Sequence, residues 1–418
     1  EGEHRIAEEL RKIPSSGKNV VINGSDSDLF MIYLTQLKNG WNNIYLFRNH
    51  FDNYKVDVMI DLKKLEEVLK QLYPQSISPA DDFVVLMYLS GNDFLPSFPS
   101  FERIHDALGT IIIGYRMFLA ENPTLAITDG SAVKWKNFGK FLEFIITNWE
   151  STLLSKWALN SDGMVRTAFS GLVRESIQTI SQVTHGHSHL VRKFDVPLFK
   201  SNWYSFVFSP KVGNIRLKPT PIDISTMVEK YLEGIAWVYN YYRYGVVNLN
   251  VDWYYPYYYA PLLEDIARHI ATSEIITWLK MPIYTTSSFI NTLVQLVLVL
   301  PPSSVSLVPA KLRVLYTENS FIMDMFCEKA FYDARGKIEE YQGFLILPPV
   351  NSNRVLRLFP LLGITEEEFA LYSASEVIEV HRNITGSQQI ETVQPRIWRN
   401  NLLRGSSDGK ERGGRGRG

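Results

Sequence analysis

Three short acidic segments carry five carboxylates at spacings that suit a shared ion pocket. The chain opens Glu1-Gly2-Glu3-His4-Arg5-Ile6, continues to Gly24-Ser25-Asp26-Ser27-Asp28, and later reads Gly91-Asn92-Asp93-Phe94-Leu95-Pro96. The i, i+2 spacing of Glu1 and Glu3 suits a loop running into a helix start, where unpaired backbone N–H groups favour negative charge. Asp26 and Asp28, on an extended segment, point to the same side of the chain. Carboxylates packed together repel and raise one another's pKa, so such a cluster calls for cations. Oxygen donors without thiolates point to Mg²⁺ or Mn²⁺. Two such ions about 4 Å apart activate a water, stabilise a leaving oxygen and offset charge on the phosphate, which is the two-metal route to phosphodiester hydrolysis. A single D-x-D or E-x-E is equally a turn or a solvated helix start. Together, the segments nominate Glu1, Glu3, Asp26, Asp28 and Asp93 as ion ligands and catalytic residues.

The elements around these residues read as α/β. A helical pattern covers His4 to Lys12, a strand Asn19 to Asn23, a turn Gly24-Ser25, a helix Leu29 to Leu37 and a strand Ile44 to Phe47. Alternation of this kind predicts a parallel sheet with functional residues at the carboxyl ends of its strands. An apolar helix from Asp81 to Leu89 ends near Gly91, with Pro96 and Pro99 preventing continuation. Residues 1–115 form this first region. Residues 116–220 read as a connector or insertion, with mixed helices such as Phe138 to Trp149 and a polar loop from Thr184 to His189. Residues 221–372 are dense in Trp, Tyr and Pro. They carry helical patterns at Thr226 to Tyr242 and Ser287 to Leu300 and a strand at Gly343 to Leu347, so a second, mainly helical packed region is expected. Residues 373–418 form a tail ending in Arg-Gly low complexity, expected to be disordered.

Composition narrows the function classes. With 45% hydrophobic and 13% aromatic residues over 418 positions, the chain has a core to bury. A net charge of -1 means that nucleic-acid binding would need a local basic channel or tail. The tail offers one: Arg404, Lys410, Arg412, Arg415 and Arg417 stand against Asp408 and Glu411, and Arg415 and Arg417 are candidate RNA contacts. Cys327 is the only cysteine, which excludes an intrachain disulfide and a multi-cysteine zinc site and fits a reducing compartment, cytoplasm or nucleus. The longest apolar run, Leu293 to Leu300, is too short to span a bilayer as a helix. His185, His187 and His189 lack a second ligand pair at zinc-like spacing and read as loop residues. Trp237 suits either a stack on a nucleobase or core packing. The run Trp253 to Tyr259 reads as an aromatic brace.

At this point the sequence resembles the XRN 5′→3′ exoribonucleases. Glu1 to Ile6 matches the family's acidic E-G-E-H segment, Asp26-Ser27-Asp28-Leu29 its D-A-D-L segment and Gly91 to Pro96 its G-N-D-F-L-P segment. The likeness continues through Leu232 to Val238, Trp253 to Pro261, Val299 to Ser304, Asp333 to Lys337 and Tyr341 to Pro348. Ser27 replaces the family's alanine, and Tyr258 stands where the family usually has histidine. The resemblance implies the carboxyl-terminal half of a PIN-like, flap-nuclease-like catalytic domain in residues 1–115, braced by the helical second region. It also implies two Mg²⁺ or Mn²⁺ ions on the five carboxylates and single-stranded RNA with a 5′-monophosphate as substrate. Trp237 would then close over terminal nucleotides. Two further acidic residues and the 5′-phosphate pocket are expected upstream of Glu1, so this chain alone is expected to be inactive. A structure-specific 5′-flap endonuclease and a non-catalytic scaffold of an RNA-processing complex are the alternatives.

Overall fold

Apolar side chains recurring three and four residues apart dominate the sequence, and the fold is mostly helical. The computed structural model describes residues 2–12, 17–37, 40–41, 43–51, 56–102, 104–160, 168–184, 187–208, 221–246, 249–250, 253–273, 291–326, 331–335, 343–348 and 350–365. Glu1, Cys327, His185 and the Arg-Gly tail with Arg415 and Arg417 lie outside them. By contacts the chain divides into Glu1–Ser373 and Ala374–Gly418.

The chain begins with α1 (Gly2–Lys12), β1 (Val20–Asn23), α2 (Asp28–Gln36), β2 (Ile44–Phe51), β3 (Val56–Asp61), α3 (Leu62–Leu72) and α4 (Pro79–Met87). The sheet has order β1-β2-β3. The β1–β2 pair is parallel, with Ile22 opposite Leu46, as the sequence pattern predicts. The β2–β3 pair is antiparallel, with Leu46 opposite Ile60, so the described sheet is mixed rather than all parallel. Only residues 52–55 separate β2 from β3, too short a link for the crossover that a parallel pair needs.

Then come α5 (Ile104–Glu121), α6 (Trp135–Ile145), a π turn (Ile146–Glu150), α7 (Ser151–Leu159), α8 (Ala168–Glu175), β4 (Ile177–Thr184), β5 (His187–Phe194) and α9 (Val196–Val207). Within residues 116–220, read from the sequence as a connector or insertion, Phe118, Phe138, Phe141, Leu142, Phe169 and Trp203 are all buried. Of the stretch expected as a polar loop, Thr184 and residues 187–189 stand in an antiparallel ladder, paired from Ile177–Phe194 to Thr184–His187, and residues 185–186 lie outside the described set. The ladder's Ser, Thr, Gln and His residues hid the strand signal, because every described side chain from Gln178 to Gln182 and from Ser188 to Lys193 is exposed and neither face needs an apolar alternation.

The rest comprises α10 (Pro221–Tyr244), α11 (Leu263–Thr272), α12 (Thr292–Val299), three 3₁₀ turns between Pro302 and Met325, the short pair β6 (Phe331–Asp333) and β7 (Phe344–Ile346), and α13 (Ser352–Leu358). Of the helix expected over Ser287 to Leu300, residues 287–290 lie outside the described set. Three apolar cores result. The first runs from Ala7 to Ile270 and joins α1 to α6 with α10 and α11. The second gathers α7 to α9 with Tyr259 and Leu262. The third lies between Leu293 and Phe359.

Candidate active site

Asp26 and Asp28 follow the carboxyl end of β1, where Gly24 N–H donates to Phe47 O (3.1 Å) and turns the chain out of the sheet. The segment is not extended, as the sequence reading assumed. Ser27 has helical angles (φ -73, ψ -26) and Asp28 opens α2. Asp26 Oδ1 accepts the Asp28 N–H at 3.0 Å, the local turn that short acidic side chains favour. Asp26 is exposed and Asp28 half-buried. The Arg48 guanidinium reaches from β2 to Ser25 O beside this loop.

Asp93 sits in a loop closed by its neighbour. Asn92 Oδ1 accepts from Phe94 N–H and Leu95 N–H, both at 2.9 Å, and Asn92 N–H donates to Leu95 O at 2.9 Å. Asp93 is left exposed at the tip. The loop starts at Gly91, with φ +82, and a Cβ there would lie 2.6 Å from Ser97 N, so both conformation and space demand glycine. Glu3 lies in the first turn of α1, its carbonyl accepting from Tyr33 Oη at 2.8 Å. Burial and the Glu3 charge push the Tyr33 phenol well above its ordinary pKa.

One helix touches all three acidic segments. On α10, Tyr231 Oη donates to Pro96 O at 2.7 Å, and Gly234 lets Leu95 and Trp253 close on the helix. Tyr241 meets His4 of the first segment, ring centroids 3.8 Å apart, and Phe94 of the third at 5.3 Å. Tyr242 Oη donates to Asp28 Oδ2 at 2.6 Å. Arg243 donates to buried Asp81 of α4 at 3.0 Å, and Arg11 of α1 donates to the carbonyls of Arg243 (3.1 Å) and Tyr244 (3.3 Å). Tyr242, Arg243, Asp81, Asn92 and Arg48 were not singled out in the sequence. The aromatic density of α10 was visible there, but not which ring faces which carboxylate.

Electrostatics tie Asp28 and Asp93 to one point. Burial first, then the charges of Asp28 and Asp93 among others, hold the Tyr242 phenol far above its usual range, so it stays a neutral donor. Among the described residues no three His, Cys, Asp or Glu side chains are grouped to hold a metal ion. Tyr242 thus holds Asp28 by a hydrogen bond and feels the charge of Asp93, but no three of Glu3, Asp26, Asp28 and Asp93 assemble into the expected cage. An oxygen-only pair fits Mg²⁺, which keeps several waters and takes one or two carboxylates with substrate phosphates. It does not by itself fit a closed protein shell. Trp237 is 7% exposed, its ring among Phe94 (5.0 Å), Tyr241 (5.0 Å) and Trp253 (5.2 Å) and its N–H on Asn250 O at 2.8 Å. This geometry packs the ring among other aromatics, with Trp253 stacked on it.

The sequence matches the family described as the Xrn1 helical domain over residues 78–184 and 192–391. It is 37% identical over 153 residues to 5′-3′ exoribonuclease 2 of Schizosaccharomyces pombe, covering 35% of this chain and 14% of that protein. It is 23% identical over 423 residues to 5′-3′ exoribonuclease 1 of Homo sapiens, covering 85% of this chain and 23% of that protein. With 5′-3′ exoribonuclease 2 of Saccharomyces cerevisiae it shares 32% identity over 180 residues, 41% of this chain and 16% of that protein. The chain thus spans less than a quarter of the length of each of these relatives.

Proposed function

Since the chain belongs to the Xrn1 helical domain family, we propose that it acts in 5′→3′ exonucleolytic digestion of single-stranded RNA bearing a 5′-monophosphate, releasing mononucleotides. The observation that carries this reading is the contact of all three acidic segments with α10: His4 with Tyr241, Asp28 with Tyr242 and Pro96 with Tyr231. Residues 1–115 are read as a PIN-like catalytic portion, and the helical remainder holds its loops in place. The setting is RNA turnover or processing in cytoplasm or nucleus.

Asp28 and Asp93 would hold a divalent ion, with Asp26, Glu3 and Glu1 as further donors to a pair of ions. When bound, Mg²⁺ or Mn²⁺ lowers the pKa of a water and offsets phosphate charge during hydrolysis. The protein's own residues do the positioning. Asp26 fixes the Asp28 backbone, Asn92 closes the loop that presents Asp93, and Arg48 places a cation beside the Asp26 loop where a phosphate could be met. The Arg-Gly tail, with Arg415 and Arg417, adds sequence-independent attraction for RNA.

The test is digestion of 3′-labelled RNA carrying a 5′-monophosphate or a 5′-hydroxyl, with Mg²⁺, by a full-length protein that carries this chain and by its Asp93→Ala variant. Mononucleotide release confined to the monophosphate, and reduced by about 100-fold or more in Asp93→Ala, is expected. Internal fragments, or equal digestion of both ends, would favour an endonuclease instead.

A further inference from the structure

The contact between Asp28 and Tyr242 joins residues 214 apart in sequence through the shortest described hydrogen bond to any of the nominated carboxylates. The Tyr242 ring is 1% exposed, edge-on to Tyr88 at 5.9 Å and near His4 at 6.3 Å. Its backbone carbonyl accepts from Thr35 Oγ1 of α2 at 3.4 Å, so the helix that carries Asp28 is also tied to the residue that holds its side chain. A buried phenol has few rotamers to lose, and here packing removes that choice already. Asp28 is half-buried at the first turn of α2, its backbone N–H donating to Asp26 Oδ1 and its Oδ2 accepting from Tyr242 Oη.

We propose that Tyr242 is a positioning residue that fixes the plane of the Asp28 carboxylate and so sets the affinity of the site for divalent cations. The proposal rests on Asp28 being a cation ligand, as argued above. Carboxylates that hold metals are themselves hydrogen-bonded, and loss of such a partner typically weakens metal binding without touching a ligand. In this protein the partner lies on α10, so the helical region tunes the site chemically as well as bracing it. Tyr88 supplies a control: it is buried beside Tyr242, Asp28 acts on its phenol, yet its hydroxyl makes no hydrogen bond among the described residues.

The experiment is Mn²⁺ titration of the whole chain by calorimetry and by paramagnetic resonance, with a metal-free thermal melt of each variant. Wild type should bind Mn²⁺ saturably, Asp28→Asn should lose that binding, and Tyr242→Phe should weaken it by about 10- to 100-fold while Tyr88→Phe stays within about twofold. Asp28→Glu keeps the charge but moves the carboxylate away from Tyr242. It should weaken binding comparably, and it asks the same question should Tyr242→Phe fail to melt cooperatively. Wild-type affinity in folded Tyr242→Phe or in Asp28→Glu, or equal losses in Tyr242→Phe and Tyr88→Phe, overturns the positioning role and leaves Asp28 as a ligand. Absence of saturable Mn²⁺ binding by wild type overturns the carboxylate reading and this proposal together.

Discussion

Tyr258 and Tyr259 are adjacent in sequence, and their hydroxyls meet different surroundings. Tyr258, 39% exposed, donates to Leu347 O at 2.7 Å and accepts from Leu347 N–H at 2.8 Å. Tyr259, 5% exposed, donates at 2.5 Å to Asp333, which is fully buried. Removing a partner from a buried charged group costs about 1.5–3 kcal/mol, whereas an exposed neutral hydrogen bond contributes about 1 kcal/mol that water largely replaces. Tyr259→Phe should therefore lower the urea midpoint by clearly more than Tyr258→Phe, and equal losses would sink the assignment. The same contrast explains what the sequence disclosed at this scale. Asp26, Asp28 and Asp93 could be nominated because three acidic segments stand together in one sequence, although each alone also suits a turn or a helix start. Tyr242 could not, because nothing local separates it from Tyr239, Tyr241 and Tyr244. Its role is set by a residue on another helix.

Helix α10 approaches the Asp93 loop at Gly234, where a Cβ would lie 2.6 Å from Leu95 Cδ2 and 2.7 Å from Trp253 Cη2. Gly234→Ala gains about 1 kcal/mol of helix propensity but overpacks, at a cost of about 1–3 kcal/mol. The Leu95 methyl can swing aside and the Trp253 ring cannot, so net destabilisation with a change in tryptophan fluorescence is expected, and a raised melting temperature would refute it. Another element gives a pH signature. Ahead of α6, Asp129 accepts from Ser131 Oγ (2.6 Å), Ser131 N–H (2.9 Å) and Ala132 N–H (2.9 Å). The Ser131 hydroxyl first, then these amides and Lys134, hold its carboxyl at about 2 against an ordinary 3.8. A depressed acid stabilises the fold above its unfolded value and loses that contribution as pH falls through the folded one. Acid destabilisation between pH 3.8 and about 2 should thus be shallower in Asp129→Ala, as followed by circular dichroism. The helices α1, α2, α4 and α10 were legible in the sequence, α1 from its helical period and the others from apolar stretches of helical length. The β4–β5 hairpin was not, because a ladder exposed on both faces leaves no apolar alternation to read.

At the scale of the whole molecule, the first core joins residues between Ala7 and Leu153 to residues between Val228 and Ile270, so the acidic segments and α10 belong to one packed body. Ligands of Asp28 and Asp93 should then be felt in the stability of the whole fold. Two carboxylates with several waters hold Mg²⁺ weakly, and the missing oxygens are those a substrate phosphate would bring. At a concentration equal to its Kd an ion contributes only about 0.4 kcal/mol, or ~0.5 °C in melting temperature. An RNA 5′-phosphate meeting a protein of net charge -1 is equally handicapped without a cation between them. Linkage requires that whatever factor Mg²⁺ adds to RNA affinity, RNA adds to Mg²⁺ affinity. Thermal melts with Mg²⁺, with a 5′-monophosphorylated oligonucleotide whose linkages resist hydrolysis, with both and with neither should therefore show a joint rise larger than the sum of the separate ones. The excess should vanish in Asp28→Ala and in Asp93→Ala, which remove the shared anchor, and should shrink with a 5′-hydroxyl oligonucleotide, which lacks the bridging oxygens. Strictly additive shifts in the wild-type protein would mean that ion and RNA bind independently, and the Asp28–Asp93 pair would then not be where they meet.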